Sequence, residues 1–212
     1  MGEAERRARA EKFNWFHGTG ERFKEWRCPP PVDNYANIPH HTFVSFTKKI
    51  EDGRKHRIGG DGNVCKITIS ENANILDLML ASEDGQKSWR SLQENPLALR
   101  FEVPKNYSDY LEKCRDGSIL RPFINGEKNE ENDKIARYTA IAQGKGLFTQ
   151  EEREPACIEV MITIRDWIEA VLAFGLQNYD AVICGERSEC AKMKIKNLYI
   201  RNLNIISRSE WI

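Results

Sequence analysis

Val64-Cys65-Lys66-Ile67-Thr68-Ile69-Ser70 alternates apolar and polar side chains with a period of two. That spacing turns one face of a strand toward a core and the other toward water. Strand-like patterns recur toward both ends of the chain. Phe13 to His17 and Thr42 to Thr47 come before this run and Ile75 to Met79 after it. Cys157 to Ile164, Asn178 to Cys184, Lys192 to Ile195 and Leu198 to Ile206 supply more in the last third. The middle differs. Residues 83–155 hold polar, helix-prone pieces such as Tyr107 to Cys114 and Asp133 to Gln143, broken by Pro, Gly and the hydrophilic stretch Asn125 to Asp133. Strands at both ends with helices between predict an α+β domain carrying a helical insertion. The 212 residues suit one domain, with core segments 13–80 and 157–206 and the insertion over 83–155.

Local signals refine this outline. Cys28-Pro29-Pro30-Pro31-Val32-Asp33-Asn34 is a loop, because Pro removes backbone donors and Asn and Asp favour turns. Lys48 to Arg57 reads as a short helix that Gly59-Gly60-Asp61-Gly62 must end. Asp166 to Phe174 has helical apolar spacing, and Gly175 is a natural stop.

Charge and cysteine usage narrow the function classes. The 32 basic and 32 acidic residues cancel, so a globally basic nucleic-acid binder is not indicated. Six cysteines are scattered without a Cys-x-x-Cys pair; Cys65, Cys157 and Cys184 sit in apolar runs that suit buried structural thiols. No His, Cys or Asp cluster has metal-ligand spacing, so no metal is expected. Met1 to Lys12 is charged and lacks an apolar signal core, and no run approaches a membrane span. The expectation is a cytoplasmic protein without a membrane partner, wherever it is later delivered.

Three segments carry candidate chemistry. The first is Phe16-His17-Gly18-Thr19, where a His followed by Gly ends a strand and lets backbone approach a planar ligand. The second is Ser45-Phe46-Thr47 with His56 ten residues past Phe46 in a basic stretch that includes Arg54. The third follows the Tyr179-Asp180-Ala181-Val182-Ile183 strand: Cys184-Gly185-Glu186-Arg187-Ser188-Glu189-Cys190 reads as a loop carrying two acids. Lys192, Lys194 and Lys196 also alternate and share one face of a strand. With Tyr199 and Arg201 nearby, that face suits a nucleic-acid backbone or, more plainly, a solvated edge that deters aggregation.

In order and spacing these segments resemble the nicotinamide pocket of ADP-ribosyltransferases of the PARP-like branch. The resemblance covers roughly 13–80 and 157–206. It implies a split β-sheet core and a His-His-Glu variant of the family's His-Tyr-Glu triad, with His56 in the place of the Tyr. It assigns catalytic roles to His17, His56 and Glu189, with Glu186 as the alternate acid. NAD-binding roles fall to His17, Gly18, Thr19, Ser45, Phe46, Thr47, Arg54 and His56. Gly53 stands where many relatives carry a Ser that binds the carboxamide. The activity implied is mono-ADP-ribosyl transfer from NAD, without a metal, to a macromolecular acceptor, protein or nucleic acid, as in toxins and effectors. An NAD glycohydrolase, an RNA 2′-phosphotransferase and a nucleotide-binding module without catalysis are alternatives on the same fold.

Overall fold

The computed structural model describes residues 14–27, 43–55, 63–96, 101, 103–120, 167–172, 175, 177–188 and 193–212. Among the described residues seven strands form one mixed sheet, and helices pack on it, which makes the chain an α+β protein. The strands are β1 (Asn14–Thr19), β2 (Val44–Thr47), β3 (Asn63–Ile69), β4 (Ile75–Asp77), β5 (Ala181–Ser188), β6 (Met193–Ile200) and β7 (Ile206–Trp211). Their order across the sheet is β4-β5-β6-β2-β1-β3-β7. Only β4 and β5 run parallel; every other neighbouring pair is antiparallel.

Both faces of the sheet carry a core; on β3, Cys65, Ile67 and Ile69 are buried on one face and Val64 on the other. On the first face, Trp15, Val44, Phe46, Cys65, Ile67, Ile183, Leu198 and Ile200 form one apolar cluster. On the second, Val182, Cys184 and Tyr199 pack against Leu92, Tyr110, Cys114, Trp167 and Leu172. These come from α2 (Glu83–Gln93), α3 (Tyr107–Asp116) and the helical stretch 167–172. Short α1 (Ile50–Lys55) also lies on the second face, with Gly53 over Phe16, Val64 and Thr47.

The helices begin where capping side chains allow. Ser82 accepts from the Gly85 amide at 3.0 Å and opens α2, while Asn106 accepts from the Asp109 amide at 2.9 Å and opens α3. Gly117 ends α3 with φ of 78°, a left-handed conformation that glycine adopts without a Cβ penalty. Tyr107 ties the two helix starts together: its hydroxyl accepts from the Ser82 amide at 3.1 Å.

Several boundaries differ from the sequence reading. Gly175 does not end a helix; it and residues 177–178 are helical, so the polar start expected for β5 belongs to the preceding segment. β5 begins at Ala181 and runs to Ser188, and Glu186 therefore lies in a strand rather than a loop. Gly185 and the charged residues after it look like a turn, yet the ladder from Ala181–Ile200 to Ser188–Met193 holds them extended. Lys192 to Ile195 and Leu198 to Ile206 are not two strands. One strand spans Met193–Ile200, and a second, Ile206–Trp211, completes the sheet beyond the expected core. The Lys-bearing strand is no edge: β6 is paired on both sides, Lys196 reaches Asp77 at 3.4 Å, and Tyr199 is buried on the opposite face. The segments 125–143 and 157–164 and the residues His56 and Glu189 lie outside the described residues.

The end of β5 is shaped by a close approach. β4 covers β5 only from Ala181 to Ile183. Past that point the last turn of α3 closes in, and Cys184 Sγ lies 3.6 Å from the Cys114 carbonyl oxygen. A Cβ on Gly185 would sit 2.7 Å from the same oxygen and closer still to that of Arg115. Both obstacles are backbone atoms, so Gly185→Ala should cost about 1–3 kcal/mol, read as a lower urea midpoint with an unchanged slope.

Candidate functional site at the β1–β2 seam

The sheet is weakest between β1 and β2. There the register consists of one pair, Phe16 opposite Thr47, whereas β1 and β3 pair at every position from Asn14 to Thr19. Side chains take over where the ladder lapses. His17 Nδ1 donates to the Ser45 carbonyl oxygen at 2.9 Å. Thr47 Oγ1 lies 3.4 Å from the Phe16 carbonyl oxygen and donates to that of Lys49 at 3.0 Å. Lys48 Nζ donates to the Asn14 carbonyl oxygen at 3.0 Å and stands 4.9 Å from the centre of the Trp15 ring.

The geometry of His17 fixes its chemistry. A carbonyl oxygen only accepts, so Nδ1 carries a proton and, in the neutral ring, Nε2 is the acceptor. The ring packs edge-on against Phe23 and Trp26 and tilts over Phe46, with centroids 6.4, 5.3 and 5.5 Å away. Phe46 itself is fully buried in the first-face core. Its ring supports His17 from below and presents no open face to a ligand.

Strand alternation separates the expected site residues. Residues directly opposite in an antiparallel pair share a face. His17 and Phe46 project to the first face. Ser45, Thr47 and Glu186 project to the second, with the Gly18 backbone at the seam. Ser45 is exposed although its strand is paired on both sides, while Val44, Phe46 and Thr47 are buried. An exposed side chain in mid-sheet marks an opening on the second face, between α1 and the layer of α2 and α3. Thr19 ends β1, half-buried, and Arg54 is exposed on α1.

Glu186 is the acid that the described residues connect to this opening. Thr47 of β2 is opposite Asn197 of β6, and Asn197 is opposite Cys184 of β5, two residues before Glu186. Asn197 Nδ2 donates to Glu186 Oε2. Asn197 is 2% exposed, and its Oδ1 has no hydrogen-bond partner. A buried acceptor left in that state costs about 1–3 kcal/mol. The Tyr199 hydroxyl lies 3.5 Å from the same Nδ2, and burial, then the Glu186 charge, push its phenol well above the usual range. Tyr199 thus stays neutral beside the acid.

Sequence reasoning missed Asn197. It was hidden at the expected break between two strands. The usable signal was phase: Ile195, Asn197 and Tyr199 share one face, and a lone amide at an apolar-phase position is conspicuous.

Among the described residues no three His, Cys, Asp or Glu side chains gather as a metal site, and no helix is long and apolar enough to cross a membrane. Cys65, Cys114 and Cys184 are free and buried. No protein-family model, curated protein or solved structure matches the chain.

Two outcomes follow from these contacts. Thr47→Val removes the hydroxyl at the seam and should lower stability by about 1 kcal/mol in urea titration. Cys184 is pushed well above its ordinary value of 9.0 by its hydrogen bond with Cys114 and by burial. Its folded value exceeds its unfolded one, so the associated stability is complete below 9.0 and is lost as pH rises above it. Urea midpoints should therefore fall steadily on the alkaline side of that value.

Proposed function

We propose that the chain is a mono-ADP-ribosyltransferase that moves ADP-ribose from NAD to a macromolecular acceptor. One observation carries the reading: the seam between β1 and β2 opens on the second face at exposed Ser45, with the Gly18 backbone on one side and the Glu186–Asn197 pair on the other. This supports a ligand that lies along that opening and meets strand backbone and a carboxylate in succession.

NAD suits such a path. The nicotinamide ring lies against the Gly18 and Ser45 backbone, its carboxamide taking main-chain hydrogen bonds. His17 projects to the other face, so its part is to hold the Ser45 carbonyl through Nδ1 rather than to touch the donor. When the nicotinamide–ribose bond breaks, its electron pair leaves with nicotinamide and positive charge develops at C1′. A fixed carboxylate beside the ribose hydroxyls stabilises that charge, more so where water is excluded. Glu186 takes this part because it is tied to the seam through Asn197. An acceptor oxygen or nitrogen then attacks C1′ and loses its proton. Positioning donor and acceptor supplies a further share of the rate. In this reading Arg54, exposed on α1, takes the pyrophosphate.

The test is incubation with NAD labelled in the adenylate portion, with a cell lysate as the acceptor source. Nicotinamide release and label on protein or RNA are expected. Loss of the carboxylate in Glu186→Gln should slow release by about 100-fold or more. If Glu186→Gln is fully active and Glu189→Gln is not, the acid is Glu189. Release without labelling identifies water as acceptor, and no release by the native chain contradicts the proposal.

A further inference from the structure

Asn197 occupies an improbable position for an amide. It lies in the middle of β6, paired to Cys184 on one side and Thr47 on the other, and is 2% exposed. Its neighbours on the same face, Ile195 and Tyr199, are buried as well. A side chain there would ordinarily be apolar. The amide instead uses Nδ2 to hold Glu186 Oε2 and leaves Oδ1 without a partner. A half-satisfied amide in a confined, ladder-fixed place does not serve packing.

Glu186 needs such a hold. It lies on β5 beyond the last residue that β4 covers. A glutamate side chain anchored at one end keeps several rotamers, and a carboxylate that must meet a ribose works only from one of them. The backbone of Asn197 is held by strands on both sides, so its amide is a rigid point from which to fix the acid. The residue type also follows. An aspartate would set a second carboxylate against Glu186, and a leucine would leave it unheld.

We infer that Asn197 is a positioning residue that locks the Glu186 carboxylate through Oε2 and leaves Oε1 for the ribose hydroxyl of the donor. The inference rests on the NAD reading above for the identity of that hydroxyl, but the Asn197–Glu186 lock is testable without it.

The experiment has two arms on the full chain. In the first, the Asn197 side-chain amide is followed by ¹⁵N NMR while the pH is lowered from about 8 to about 3, across the carboxylate range. Its resonances should move in one titration that disappears in Glu186→Gln. An amide that does not move, or moves equally in Glu186→Gln, overturns the lock. In the second arm, nicotinamide release is measured for Asn197→Leu and Asn197→Asp. Loss of positioning should lower kcat by about 100-fold with little change in KM. Asn197→Leu should melt no lower than the native chain, because a purely structural amide would lower the melting temperature and leave kcat alone. Asn197→Asp should also move the acid limb of the pH–rate profile upward, as a second carboxylate raises the first. Unchanged kcat in both variants overturns the positioning role. Absence of nicotinamide release by the native chain refutes the NAD reading instead, and the amide titration then decides the lock alone.

Discussion

The hydrogen bond from His17 Nδ1 to the Ser45 carbonyl oxygen is the point on which the rest of the arrangement turns. Lys48 N donates to Lys196 O across β2 and β6, so by alternation the amide and carbonyl of Ser45 face β1. A main-chain donor of β1 would normally meet that carbonyl. An imidazole does so here. The two halves of the sheet, β4-β5-β6-β2 and β1-β3-β7, are joined by one residue pair and a set of side-chain staples. A sheet assembled in this way keeps its core continuous while its main chain parts at one place, and backbone polar groups that would be spent on the ladder become available near a ligand.

The two cores explain how a sheet tolerates such a seam. Below it, Trp15, Phe46, Cys65, Ile67 and Leu198 form one cluster that spans both halves. Burial of this apolar surface, rather than main-chain pairing, holds β1 beside β2. Above it, helices cover the sheet from each side and leave Ser45 exposed between them. Glu186 and Asn197 lie at that margin, just past the close approach of α3 to Gly185. The same packing that stabilises the domain thus fixes the acid, and the unpartnered Asn197 Oδ1 is a local cost that the cores offset.

Much of the sheet was legible in the sequence because period-two alternation reports burial directly. Asn63–Ile69 and Val44–Thr47 fall almost where the alternation puts them. Errors arose where tertiary pairing overrode local signals. Gly185 looks like a turn residue but serves a close helix approach, and Gly175 looks like a helix stop but is itself helical. β7 escaped notice because Ser207, Arg208, Ser209 and Glu210 are exposed on an edge strand, so nothing alternates. Within the candidate site, His17 and Gly18 announce themselves by type and order. The separation of His17 from Ser45 and Thr47 onto opposite faces needs register, which a single sequence does not display. Asn197 needs the strand to be continuous before its phase means anything.

Amide hydrogen exchange, resolved to single residues, tests the central claim most directly. If the seam is an opening closed by the donor, the amides of Gly18 and Ser45 should exchange much faster than those of the β5–β6 ladder in the free protein. They should become protected when NAD is added to a variant slowed by Glu186→Gln. Seam amides as slow as the β5–β6 ladder in the free protein, or unchanged by saturating NAD, would contradict the account.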